Sequence, residues 1–228
     1  MTTESETYDP EARGLPLVAV LLILTVVSGL IDAVAYLGLG QVFTANMTGN
    51  VVVLGFAAAG APGFSVPHTA TSLVSFVAGA VAGGRVARRV GDCSRRTWTR
   101  LTLATEAALV GAAAAVAFAA PGTAGTTYTL IALTAFAMGM RNAAVRKLDV
   151  SALTTTTVLT MTLTGLAADS RTAGGSGRGA PRRAAAVVTM AAGALLGAWL
   201  VLHHGLGVPL LVAAAMTGVL AVTASGRE

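Results

Sequence analysis

The sequence predicts an all-α integral membrane protein with six full transmembrane helices plus two broken or re-entrant segments in a 3+3 inverted repeat. Three observations carry this: a composition suited to lipid, basic residues confined to alternate loops, and the same order of motifs in both halves.

Of the 228 residues, 54% are hydrophobic and 11% are charged. Mean hydropathy is +0.74. Soluble domains carry about a quarter charged residues. The apolar mass is Ala, Val, Leu and Gly, whose small members let membrane helices approach closely. The net charge of +5 would suit nucleic acid. However, the arginines stand in short loops between apolar runs, where they orient a chain in a bilayer, so no nucleic-acid partner is expected. The single cysteine, Cys93, excludes an internal disulfide framework and a Cys-rich metal site. Glu4, Glu6, Asp9 and Glu11 precede the first apolar run, unlike the basic start of a signal peptide, so an uncleaved N-terminus is expected. Residues 1–14 read as a cytoplasmic tail and 15–228 as a single membrane domain.

Runs long enough to cross a bilayer, about 20 residues, occur at 15–37, 68–86, 100–120, 125–145, 184–204 and 207–224. Two more, 43–60 and 151–168, are interrupted by polar residues. Arg13, the cluster Arg85 to Arg100, the pair Arg146 and Lys147, the group Arg171 to Arg183, and Arg227 mark one side of the membrane. The loops at 37–42, 61–67, 120–125 and 203–208 hold no Arg or Lys. Placing every basic segment in the cytoplasm gives six crossings of the plasma (inner) membrane with both termini inside. Segment 43–60 then begins and ends outside, and 151–168 begins and ends inside. Each must be a re-entrant hairpin or a half-helix preceded by extended chain.

The halves repeat. Gly29-Leu30-Ile31-Asp32-Ala33 reads against Gly139-Met140-Arg141-Asn142-Ala143. The polar run Phe43 to Asn50 reads against the threonine-rich run Leu153 to Thr164. Ala78-Gly79-Ala80-Val81-Ala82-Gly83 reads against Ala192-Gly193-Ala194-Leu195-Leu196-Gly197. Repeat one covers 15–120 and repeat two 125–224. Three crossings per repeat is an odd number, so the halves lie in opposite orientations, a plan used by many secondary transporters.

At Gly29 to Ala33 and at Phe43-Thr44-Ala45-Asn46-Met47-Thr48-Gly49-Asn50, followed by Val51 to Gly55, the chain resembles the YoaK-like family of bacterial inner-membrane proteins. Gly139, Asn142, Ala143, Arg146 and Lys147 are similar to its second signature. The family's second Thr-Gly-Asn-like motif is replaced here by Thr160-Met161-Thr162. The family is a domain of unknown function, so the resemblance implies a fold and no activity.

Several residues are candidates for chemistry. Asp32 lies in an otherwise apolar span, where a carboxylate marks a pathway or proton relay, or bonds to the following loop. Thr44, Asn46, Thr48, Gly49 and Asn50 favour irregular backbone, which survives in a bilayer only when buried in protein or lining a watery cavity. A helix starting near Asn50 would aim its positive end at the protein centre. Asn142, Thr156 and Thr160 supply the matching polarity in repeat two. The alternation at Thr160, Thr162 and Thr164 has period two and does not sit on one helical face, so either part of this segment is extended or, the reading favoured slightly, the hydroxyls bond back to their own helix.

Glu106 reads as an interfacial partner for Arg100 or a neighbouring arginine. His68, His203 and His204 read as surface residues, with no metal site. Trp98 and Trp199 read as interface anchors. The small-xxx-small pairs Gly79/Gly83 and Gly193/Gly197 permit close crossing within the chain or in a homo-oligomer. With no metal cluster, activated nucleophile or acid–base pair, neither an enzyme nor a cofactor is expected. The leading functional expectation is a small-solute transporter or channel, proton-coupled through Asp32. The alternative is a non-transporting scaffold or sensor whose arginine loops dock partners or anionic lipid.

Overall fold

The computed structural model describes residues 14–89, 94–148 and 159–225. They form eight α-helices: α1 Leu17–Gly38, α2 Met47–Ala58, α3 Val66–Arg89, α4 Arg95–Ala119, α5 Ala124–Leu148, α6 Leu159–Ala168, α7 Ala180–His204 and α8 Gly207–Thr223. Helices α1, α3, α4 and α7 are long and apolar enough to cross a membrane by length and composition. Helix α5 has 25 residues but carries Arg141 and Asn142 within its apolar stretch. Helix α8 has 17, about 25 Å at 1.5 Å per residue. Helix α2, with 12 residues, is too short to span, and α6 is described over 10 residues. The interrupted segments thus contain short helices, and 39–46 ahead of α2 is not helical. Residues 160–164 are α-helical rather than extended. The Thr164 hydroxyl donates to the Thr160 carbonyl at 2.9 Å, the back-bonding that a helical threonine makes to its own helix.

The chain ends α1 where Gly40, at φ +90°, and Gln41, at φ 58°, enter left-handed backbone that a helix cannot continue through. Ser94 caps α4 by accepting from the Thr97 amide at 3.2 Å. Gly205, at φ +72°, makes the tight turn between α7 and α8.

Polarity runs inside-out relative to a water-soluble bundle. Leu195 on α7 is 74% exposed, and Val74, Val77, Val188, Leu202 and Val222 are also exposed. Asn50, by contrast, is fully buried, with Asp32, Thr44, Ser72, Glu106 and Arg141 at or near full burial. An apolar exterior of this kind requires lipid as its solvent.

The centre is made by α1, α4, α5 and α8, where Leu30, Ile31 and Val34 meet Val110, Ala113, Leu130, Met138 and Leu210. Helices α3 and α7 flank it, α3 packed along α5 and α7 along α1. Both flanking contacts are made through glycine. A Cβ on Gly139 would run into the Phe76 carbonyl, and one on Gly79 into the Phe136 carbonyl. In the same way Gly29 meets the Met190 carbonyl, and Gly193 meets the Val26 carbonyl. Gly83 and Gly197 lie against Met140 and Leu30 one turn further on. These small-xxx-small faces are therefore consumed within the chain, which leaves none of them for a second copy.

At one end of the bundle the segment before α1 meets the end of α8. Leu15 donates to the Thr223 carbonyl at 2.8 Å, and Arg100 reaches the Ala224 carbonyl at 3.0 Å. Lys147 donates to the Ala87 carbonyl at 2.8 Å there and sits over the Trp98 ring. Trp98 is 4% exposed, packed among Leu17, Leu21 and Val145. It is a core residue rather than an interface anchor, whereas Trp199 is half exposed.

Candidate functional site

The segment between α1 and α2 is held by side chains that replace its missing helical hydrogen bonds. Asp32 Oδ1 accepts from the Thr44 and Ala45 amides, each at 2.8 Å. Asn50, on the first turn of α2, reaches back to Phe43. Its Oδ1 accepts from the Phe43 amide at 2.8 Å, and its Nδ2 donates to the Phe43 carbonyl at 2.6 Å. The Ser72 hydroxyl on α3 donates to the same carbonyl at 2.6 Å and accepts from Asn50 Nδ2 at 3.0 Å. Gly49 leaves room for the Phe43 ring, which a Cβ would meet at 2.7 Å. Asn and Asp side chains thus do in this loop what backbone partners would do in a helix.

Beside this segment lies a cavity of about 400 Å³ between α1 and α5, helices that touch directly at few points. Its walls are Leu24, Thr25 and Ser28 of α1, Asn46, Thr48 and Gly49 at the start of α2, Arg141, Asn142 and Val145 of α5, and Leu159, Thr160 and Leu163 of α6. Asn46 makes no capping hydrogen bond through its side chain, and the first turn of α2 has no acidic residue. Asn46, Thr48 and Gly49 thus bring the N-terminal end of α2 to the cavity wall, with no side-chain cap from Asn46.

The candidates read from sequence divide in two. Asn46, Thr48, Gly49, Asn142 and Thr160 come together on the cavity wall. Asp32, Thr44 and Asn50 lie behind it, where Asp32 and Asn50 hold the backbone of the 43–46 segment. Thr156 lies outside the described residues, as do Asp149 and Cys93.

Arg141 is the residue sequence reasoning missed. It is 5% exposed and reaches from α5 across to α1. Its Nη1 donates to Glu106 Oε1 at 3.1 Å and to the Leu24 carbonyl at 3.2 Å, and its Nη2 donates to the Ser28 hydroxyl. Glu106, on α4, is 2% exposed. Its partner is thus Arg141 in the interior and not Arg100, whose guanidinium is taken up by the Ala224 and Val222 carbonyls. A signal was present: one arginine and one glutamate each inside an apolar span must find a counter-charge. Among the described residues no group of three or more His, Cys, Asp or Glu is placed to hold a metal.

The sequence model of the DUF1275 family, described as a protein of unknown function, matches residues 20–223. The chain is 34% identical over 152 residues to UPF0700 transmembrane protein YoaK of Bacillus subtilis (strain 168). The match covers 65% of this chain and 65% of that relative's length. No solved structure matches. Helical packing, an apolar exterior and this kinship agree, and the chain belongs to the DUF1275 family of transmembrane proteins.

Proposed function

We propose that the protein is a small-solute transporter or channel of the plasma membrane, with its site in the cavity between α1 and α5. The carrying observation is that cavity, lined by Arg141, Asn142 and the first turn of α2 inside a bundle whose exterior is apolar. Polar residues in such a place are costly to keep and mark solute pathways. Asn46, Thr48, Gly49, Asn142 and Thr160 line the site, with Asp32, Thr44 and Asn50 positioning the α2 entrance behind it.

In this reading α1, α3, α4, α5, α7 and α8 cross the bilayer, α2 and α6 are half-helices, and both termini are cytoplasmic. Matched contacts support an inverted repeat. Gly29 and Gly139 occupy equivalent places, as do Gly79 and Gly193, and each meets a carbonyl on the helix the symmetry assigns to it. Direct contact of α1 with α5 is sparse beside the Arg141 bonds to Leu24 and Ser28, so the seam between the α1–α7 and α5–α3 pairs runs through the cavity, the place where alternating access would act. The cavity walls use the halves of α1 and α5 nearest the basic end, so the cavity faces the cytoplasm. No chemistry beyond binding and passage is assigned to the site, which is not that of an enzyme.

Iso-osmotic swelling of proteoliposomes in a panel of small polar and anionic solutes tests this. Solute entry above that of protein-free vesicles, lost when Thr48→Trp fills the cavity, is expected. Absence of entry for every solute would retire transport in favour of a scaffold or sensor docking through Arg85, Arg88 and Arg89. The crossings are tested separately by single cysteines in a Cys93→Ser background. Replacements of Gln41, Pro62, Thr123 and His204 should label from outside and those of Asp92 and Ser176 should not. Labelling of Gln41 and Pro62 positions from opposite sides would make segment 43–60 an ordinary span and remove the inverted repeat.

A further inference from the structure

We propose that the cavity takes a small anion, bound by Arg141, and that Glu106 is the internal counter-ion the anion displaces. This rests on the cavity being a solute site and adds the chemical class of the solute. Arg141 is the one charged residue on the cavity wall, among the described residues. Its counter-ion stands off the wall: Glu106 is on α4 and does not line the cavity. An entering solute therefore meets the guanidinium first and the carboxylate not at all.

The rest of the wall agrees with that sign. Thr48 and Thr160 present hydroxyls, Asn46 presents an amide, and the N-terminal end of α2 adds the positive end of its dipole, while the Ser28 hydroxyl donates to the Leu24 carbonyl and Asn142 Nδ2 to the Met138 carbonyl. Neither α2, α6 nor α8 contains a titratable residue over its described length. The other interior carboxyl, Asp32, lies off the wall with Oδ1 held by the Thr44 and Ala45 amides. A guanidinium offers a planar fork of donors that suits a carboxylate or similar oxyanion. Nη1 is shared between Glu106 and the Leu24 carbonyl. An anion gaining Arg141 would therefore do so at the expense of Glu106. At about 400 Å³ the space lies toward the lower end of ligand-pocket volumes and has room for a small organic or inorganic anion.

The test reads the sign of the field at the wall without naming the solute. Thr48→Cys is placed in a Cys93→Ser background in the full chain, in membranes. Its modification rates are measured with a negatively charged sulfonate thiosulfonate and a positively charged trimethylammonium thiosulfonate, each normalised to its rate on a free thiol. The ratio of the two rates cancels the thiol's own ionisation. The expected result is faster modification by the anionic reagent. The preference should rise when Glu106→Gln removes the competing charge, and fall on the order of tenfold in Arg141→Gln. Arg141→Lys, which keeps the charge, should retain the preference; where Arg141→Gln does not fold, the rise in Glu106→Gln carries the test. Preference for the cationic reagent, or a ratio that neither rises in Glu106→Gln nor falls in a folded Arg141→Gln, overturns the anion assignment while leaving a solute pathway standing. Failure of both reagents to reach Cys at position 48 overturns the solute pathway and the anion assignment together.

Discussion

Asp32 Oδ1 lies 2.8 Å from the Thr44 amide across the bend between α1 and α2, and the same oxygen takes the Ala45 amide. A carboxylate that reads in isolation as a proton relay is thus occupied with two backbone donors that no helix satisfies. Asp32→Asn keeps an acceptor oxygen at that point, so the fold should survive it. Asp32→Leu leaves both buried amides without an acceptor, at about 1–3 kcal/mol each. Thermal unfolding in detergent should rank wild type and Asp32→Asn close together and Asp32→Leu far below. Equal loss in both variants would mean that charge, and not the acceptor, is what the site needs.

Asn46 and Asn50 stand four residues apart and should behave differently. Asn50 ties Phe43 to Ser72 in full burial, so Asn50→Ala should cost about 1–3 kcal/mol of stability. Asn46 is exposed to the cavity and its side chain makes no cap bond. Asn46→Ala should therefore leave stability within about 0.5 kcal/mol, as surface substitutions do. Its effect should fall on solute entry in the liposome assay. A stability loss at position 46 equal to that at 50 would place both in the structural clamp.

This division explains what the sequence could and could not disclose. The cluster of Thr, Asn and Gly at 44–50 announces irregular backbone, because those residue types are what such backbone requires. It does not say which side chains turn inward to hold the bend and which turn out to a cavity, since that depends on α3 and α5, far away in sequence. Ser72 is an example: its bond to Phe43 spans 29 residues, and at the matching place on α7 the chain has Ala186 instead. Arg141 was hidden differently. It enters the sequence reading only as a place in the repeat Gly139 to Ala143, although the helix carries it into the interior. The glycine pairs were legible as close crossings, but their partners were not, because a small residue advertises proximity without naming the neighbour.

The glycine crossings make a prediction that composition alone would not. Gly139→Ala and Gly29→Ala each place a methyl against the backbone of the facing helix, which cannot retreat as a side chain could. Each should cost about 1–3 kcal/mol or more from overpacking. Gly55→Ala, on α2 with nothing within 4 Å, is the control. It should be neutral or slightly stabilising, because alanine favours the helix by up to about 1 kcal/mol over glycine. Unfolding of the three variants in one detergent checks this. A similar loss in all three would mean that helix propensity, not the crossing, sets the response.

The Arg141–Glu106 pair should show strong coupling in a double-mutant cycle. Both side chains are buried, at 6% and 1% exposure, and they approach to 3.1 Å. Removing one partner strands the other's charge away from water, which costs about 3–5 kcal/mol. Replacing both by apolar groups of similar volume removes the desolvation along with the attraction, and is often nearly neutral. Glu106→Leu and Arg141→Met should therefore each destabilise severely, while the double variant recovers much of the loss. Arg141 also holds the Leu24 carbonyl and Ser28 on α1. Recovery should for that reason stop short of wild type by about the worth of those bonds, roughly 1–2 kcal/mol. Additive losses would mean that each residue is held by other neighbours and that the pair is no unit. Full recovery with solute entry abolished would separate the two roles of Arg141, since stability would then owe nothing to the charge that the cavity still requires.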